Sequence, residues 1–149
     1  MRPSDSNAGR WAALTVIALV VGAWAHPARA QSSVPESARS TASGVYTEEQ
    51  ATRGRDTYQM QCKSCHTPAS HTGATFASWW DRKPLSDLYQ FVTTRMPKNE
   101  PGSLQPDEYV DLIAYLLKLN DLPSGSEPLP ADSVALKKIR IEVKPGDRE

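Results

Sequence analysis

The chain has 149 residues, 17 Lys and Arg against 17 Asp and Glu, 39% apolar residues and two cysteines. That length and composition exclude a multidomain machine and a polytopic membrane protein. A formal net charge of zero also excludes the basic surface with which nucleic-acid binders neutralise phosphates, so no nucleic acid is expected among the partners.

The first thirty residues read as an export signal. Arg2 and Arg10 precede an apolar run from Trp11 to Ala25, and Ala28-Arg29-Ala30 supplies the small-x-small pattern at which such signals are cut. The run's fifteen residues fall short of the ~20 that a membrane-spanning helix needs. The expectation is therefore cleavage after Ala30, no membrane span afterwards, and a periplasmic location. Loss of Arg2, Arg10, Arg29 and Asp5 leaves the remainder acidic by two charges.

Residues 31–46 are rich in Ser, Ala, Thr, Pro and Gly without apolar periodicity, which predicts a flexible leader. Thr47 with Gln50 three residues on forms a capping box, and predicts a helix from Glu48 to Gln61 with Ala51, Gly54 and Tyr58 on its inner face. A loop holding His66, Pro68, His71 and Gly73 then leads to Trp79-Trp80. Ser86 and Asp87 are cap candidates for a short second helix that buries Leu88, Tyr89 and Val92. Pro97 ends it and pushes Met96 out of the α region. Pro106 fits the first position of a third helix, whose apolar stripe is Tyr109, Leu112, Ile113, Leu116 and Leu117. Asn120 and Pro123 stop it. Further on, the alternation over 139–143 fits either an edge strand or an extended tail. The expected organisation is a signal peptide over 1–30, a flexible leader over 31–46, a helical domain over 47–122 and a Pro-rich extension over 123–149. Three helices, two of them short, make a marginal core at this size, so a bound group is expected to complete it.

Both cysteines fall in one pentapeptide, Cys62-Lys63-Ser64-Cys65-His66. C-x-x-C-H is the attachment pattern of c-type haem. On one helical turn two thiols reach the two vinyl groups of a porphyrin, and the adjacent imidazole is held beneath the iron. Three other readings compete. A thioredoxin-type redox pair wants a βαβ context that the helical pattern does not offer. A structural zinc site finds four ligands only by crowding Cys62, Cys65, His66 and His71 together. A plain disulfide closes a very small loop. Haem has its required context met most fully.

With these pieces the chain resembles the class I monohaem cytochromes c. The resemblance is carried by Gly54 and Tyr58 ahead of Cys62, the CKSCH segment, Arg95-Met96-Pro97, and Asp111-Leu112-Ile113-Ala114-Tyr115-Leu116, and it covers residues 47–122. It implies an all-α fold of three or more helices around one haem c, covalently attached through Cys62 and Cys65. It implies that the first and last helices cross at Gly54, Tyr58, Leu112 and Tyr115, and that a Met from the distal loop is the sixth iron ligand. Chain reach agrees. His71 is five residues from His66, at most ~17 Å when fully stretched, too little to round the macrocycle. Met60 shares a helix with the cysteines and is assigned to packing. Met96 is thirty residues downstream, so His66 and Met96 are the expected iron ligands and His71 a loop histidine in water.

Trp79 and Trp80 are expected at the cofactor, one as pocket core and the other donating its indole N–H to a haem propionate, as tryptophans do in similar cytochromes. Arg82, Lys83 and Arg95 either balance the propionates or remain solvated. The chain departs from the best-known cytochromes in lacking a Gly-Pro-x-Leu segment, which leaves the path of the 67–84 loop unassigned.

With both axial positions filled, the iron is expected to move electrons rather than to catalyse. The resemblance implies a periplasmic one-electron carrier that accepts electrons from a dehydrogenase and passes them to an oxidase or another cytochrome. The alternatives are a cytochrome c subunit of a stable oxidoreductase complex, and a haem enzyme or gas sensor should Met96 not ligate.

Overall fold

The computed structural model describes residues 39–143 and Gly146. The expected signal peptide and residues 31–38 of the expected leader lie outside the described residues.

Thr47 is extended and accepts the Gln50 N–H at 3.3 Å, while Gln50 Oε1 accepts the Thr47 N–H at 3.4 Å. This is the predicted capping box, and it starts α1 (Glu48–Gln61). The sequence predicts one short helix ahead of residue 97; the chain forms two, α2 (Gly73–Trp80) and α3 (Leu85–Arg95). The sequence reads as loop where α2 forms. This helix has no side-chain cap and only Phe76 and Ala77 are buried on it, so it leaves almost no periodic trace. Helix α3 begins behind Pro84 rather than with a Ser86 or Asp87 cap; Leu88 and Val92 are buried as expected, and Tyr89 is half-buried.

Helix α4 (Pro106–Leu119) carries the expected stripe, with Tyr109, Leu112, Ile113, Leu116 and Leu117 all buried. Its end is a Schellman turn. Asp121 takes a left-handed φ of 53°, the Leu122 N–H donates to the Leu117 carbonyl at 3.2 Å and the Asp121 N–H to the Lys118 carbonyl at 3.0 Å.

Helices α1 and α4 pack against one another at Gly54, where a Cβ would meet the Asp111 backbone. Arg53 grips Asp111 across this contact, Nε to Oδ2 at 2.6 Å and a terminal nitrogen to Oδ1 at 2.8 Å. The two-pronged pair fixes the relative rotation of the helices as well as their spacing. Glu48 and Lys118 pair at the other end.

The segments flanking the helical domain are part of its core, which corrects the reading of 39–46 as flexible leader. Val45 is 0% and Tyr46 1% exposed, and the Tyr46 hydroxyl donates to the Leu122 carbonyl at 2.6 Å. Past α4, Leu129 is held by Gln50, whose Nε2 donates to the Leu129 carbonyl at 3.1 Å and whose Oε1 accepts its N–H at 2.7 Å. A short helix α5 (Ser133–Lys137) buries Leu136 against α3. The chain then forms β2 (Ile139–Arg140), parallel to β1 (Arg39–Ser40), with Arg39 opposite Ile139 and Ser40 opposite Arg140. Ile139, Ile141 and Val143 point in and Arg140 and Glu142 out, the period of a half-buried strand. Ile141 also exchanges backbone hydrogen bonds with Arg82 and Lys83, tying this strand to the corner between α2 and α3.

The all-α expectation therefore holds, with five helices and one small sheet among the described residues. Among those residues no helix is long and apolar enough to cross a membrane.

Candidate functional site

The CKSCH segment continues directly off α1. The N–H groups of Cys62 and Lys63 donate to the Tyr58 carbonyl at 2.9 and 3.0 Å, and those of Cys65 and His66 to the Cys62 carbonyl at 3.1 and 3.0 Å. Both thiols and the imidazole thus sit on consecutive tight turns rather than on a mobile loop. Cys62 is half-buried and its pKa is pushed up by burial, while Cys65 is exposed.

These turns form one wall of a cavity of about 710 Å³, within the range of roughly 300–1,000 Å³ in which ligand sites fall. Cys62, Cys65, His66, Met96, Trp79 and Trp80 all line it. Met96 follows α3 with the extended backbone that Pro97 demands, φ −131° and ψ 149°, and its carbonyl accepts the Tyr109 hydroxyl at 3.0 Å. Its side chain is half-buried and turned to the cavity. Apolar lining comes from Phe76 of α2, Leu88 and Val92 of α3, and Leu112 and Leu116 of α4. The last two pairs are four residues apart, so each helix presents one stripe to the cavity; that spacing is the sequence signal that could have marked them.

The two tryptophans differ. Trp80 is half-buried, meets Phe91 edge-on at 5.5 Å and has the Lys83 ammonium 5.4 Å from its ring centre. Trp79 is 61% exposed at the cavity edge. Arg82 and Arg95 are exposed and do not line the cavity; Lys98, passed over in the sequence, does.

Two sequence expectations are corrected here. Met60, assigned to packing, is 72% exposed at the cavity rim. His71, assigned to water, is half-buried in the cavity wall with its ring centre 4.8 Å from that of His66. Burial and then the neighbouring His66 hold its pKa below the ordinary histidine value. Tyr58, on the same wall, is buried and its hydroxyl has no hydrogen-bond partner; burial first, then Cys62 and Tyr115, push its pKa up.

The donor set fits a covalently held haem. Two thiols flank an imidazole at the required spacing, a thioether reaches the same cavity, and the remaining lining is largely apolar. Among the described residues no three His, Cys, Asp or Glu side chains gather as a metal site, so Cys62, Cys65, His66 and His71 do not form the four-ligand grouping weighed for zinc.

A family model described as cytochrome c oxidase, cbb3-type, subunit III matches residues 49–116. The cytochrome bc1 complex cytochrome c subunit of Corynebacterium diphtheriae is 33% identical over 79 residues, covering 48% of this chain and 28% of that protein. The protein of the same description from Corynebacterium efficiens is 32% identical over 79 residues, covering 48% and 27%. The chain thus spans less than a third of the length of these curated relatives. No solved structure matches.

Proposed function

The chain belongs to the c-type cytochromes, and from that premise we propose that it is an exported one-electron carrier built around a single haem c. One observation carries the reading: both thiols, His66 and the Met96 thioether line the same largely apolar cavity. When bound, the haem iron supplies a reversible one-electron couple whose potential is set by its axial ligands.

Each residue has a part in that task. Cys62 and Cys65 would anchor the group through sulfur, so that it would not be lost on each encounter with a partner. His66 and Met96 are the residues that would hold the iron, and a soft thioether there would favour the reduced state. Phe76, Leu88, Val92, Leu112 and Leu116 line the cavity and would exclude water from the bound group. Trp80 lines the cavity with the Lys83 ammonium over its ring, and Trp79 is exposed at the cavity edge.

The donor is proposed to be a dehydrogenase and the acceptor an oxidase or another cytochrome. A second reading, a subunit of a larger respiratory assembly, is favoured by the curated relatives being named as subunits of the bc1 complex. Size-exclusion of native extract separates the two. A haem peak at the mass of the mature chain supports the diffusing carrier, and a haem peak confined to high mass supports the subunit. Redox titration of the purified protein tests the common claim: a single one-electron Nernst curve is expected, and the absence of any reversible couple contradicts it.

A further inference from the structure

The corner between α2 and α3 is held by residues 139–143. Arg82 takes a left-handed φ of 64° at this corner, a backbone state that a residue with a Cβ keeps only where its surroundings over-determine it. The Arg82 N–H donates to the Ile141 carbonyl at 2.8 Å and the Ile141 N–H to the Lys83 carbonyl at 2.9 Å. A guanidinium nitrogen of Arg140 donates to the Arg82 carbonyl at 2.8 Å, and the Val143 N–H donates to Asp81 Oδ1 at 3.2 Å.

The strand that does this is itself pinned. Thr41, 0% exposed, holds it with one hydroxyl, which accepts the Glu142 N–H at 2.9 Å and donates to the Glu142 carbonyl at 3.2 Å. Just ahead of the strand, α5 packs on α3 with Leu136 buried, while Leu88 and Val92 of α3 line the cavity. Met96 ends α3, its N–H donating to the Val92 carbonyl at 3.0 Å, so any tilt of α3 carries the Met96 backbone with it. Trp79 and Trp80 end α2 on the other side of the corner and line the same cavity.

A thioether is a neutral ligand, and its hold on a metal depends on how firmly the chain presents it. We propose that residues 133–143 are a positioning strap: by clamping the 81–84 corner and α3, they keep Met96 presented to the cavity and resist its displacement by competing ligands. The inference rests on the reading of Met96 as an iron ligand. It gives the segment past α4 a task in the site, although none of its described residues lines the cavity.

The test uses the haem-loaded protein and Thr41→Val, which keeps the shape of the side chain but leaves the Glu142 N–H and carbonyl without their partner. Thr41→Ser serves as rescue, and Arg53→Leu as a control that loosens α1 on α4 instead. Each is read by guanidinium unfolding, by the rate of carbon monoxide binding to the reduced form, and by imidazole titration of the methionine-ligation band in the oxidised form. Thr41→Val is expected to bind imidazole roughly tenfold more tightly, the equivalent of about 1.4 kcal/mol, and to take up carbon monoxide faster, with the Soret band intact. Thr41→Ser should return both toward wild type, and Arg53→Leu should lose stability without either change. Unchanged ligand binding in Thr41→Val overturns the inference, as does an equal change in Arg53→Leu at a matched loss of stability. A wild type without the methionine-ligation band overturns the reading of Met96 instead. Hydrogen exchange of the wild type needs no variant to fold: the Arg82 and Ile141 amides should be protected on the scale of those in α4, and exchange as fast as that of exposed loop amides overturns the proposal.

Discussion

Gly54 and Asp111 touch so closely that a Cβ on Gly54 would lie 1.8 Å from the Asp111 carbonyl oxygen. The obstruction is backbone, with no rotamer to swing aside, and it lies where α1 packs on α4 and sets the wall that carries the CKSCH turns. Gly54→Ala is expected to destabilise the loaded protein by roughly 3 kcal/mol or more, the upper end of overpacking costs. Guanidinium unfolding checks this; a midpoint equal to wild type would show that the helices do not meet as described.

Gln50 is 3% exposed, and its amide holds Leu129 by two hydrogen bonds while completing the cap of α1. Gln50→Leu leaves the Leu129 N–H and carbonyl without partners, at a cost of about 1–3 kcal/mol for each buried group. Limited proteolysis should then cleave within residues 123–138 well before wild type does. Equal resistance would mean that the C-terminal segment is held by its apolar contacts alone.

Tyr46 gives a pH dependence of known sign. Its pKa is pushed up to about 12, first by burial and then by Glu48 and Asp121, from an ordinary value of 10.0. The neutral phenol is the form that the fold favours, so its contribution is complete below pH 10 and is lost as pH rises through the interval to about 12. Stability from denaturant unfolding should fall across that interval in wild type. Tyr46→Phe should be less stable at neutral pH, because the Leu122 carbonyl loses its donor, and should lose less on going alkaline. Parallel curves for the two proteins would contradict the assignment.

Met96→Ala tests the distal ligand. The far-red charge-transfer band of methionine ligation should vanish, carbon monoxide should bind the reduced protein rapidly, and the midpoint potential should fall by on the order of 0.1 V, a fraction of the ~0.8 V span governed by axial ligation. Retention of the band in this variant would assign the sixth position to another side chain.

Local signals in the sequence were enough for α1 and α4. Thr47 and Gln50 act within one turn, and the Tyr109–Leu117 stripe repeats along one helix, so both are legible without knowing what they pack against. The CKSCH turns, Trp79, Trp80 and Met96, singled out by motif and by resemblance as cofactor residues, all line the cavity. What stayed hidden depends on distant partners. Thr41 accepts the Glu142 N–H and donates to the Glu142 carbonyl across 101 positions, and no periodicity near either residue announces that pairing. Helix α2 is too short and too sparsely buried to leave a pattern, and His71 enters the cavity wall only because Asn120 of another element clamps its backbone.

The most direct test is the intact mass and visible spectrum of the denatured protein after production in a host that matures c-type cytochromes, alongside Cys62→Ala/Cys65→Ala. A mass increased by one haem that survives denaturation, with a Soret band, is the predicted result for the wild type, and neither should be present in the double variant. A colourless wild-type protein of unmodified mass would contradict the reading of the Cys62, Cys65 and His66 turns as a haem attachment site.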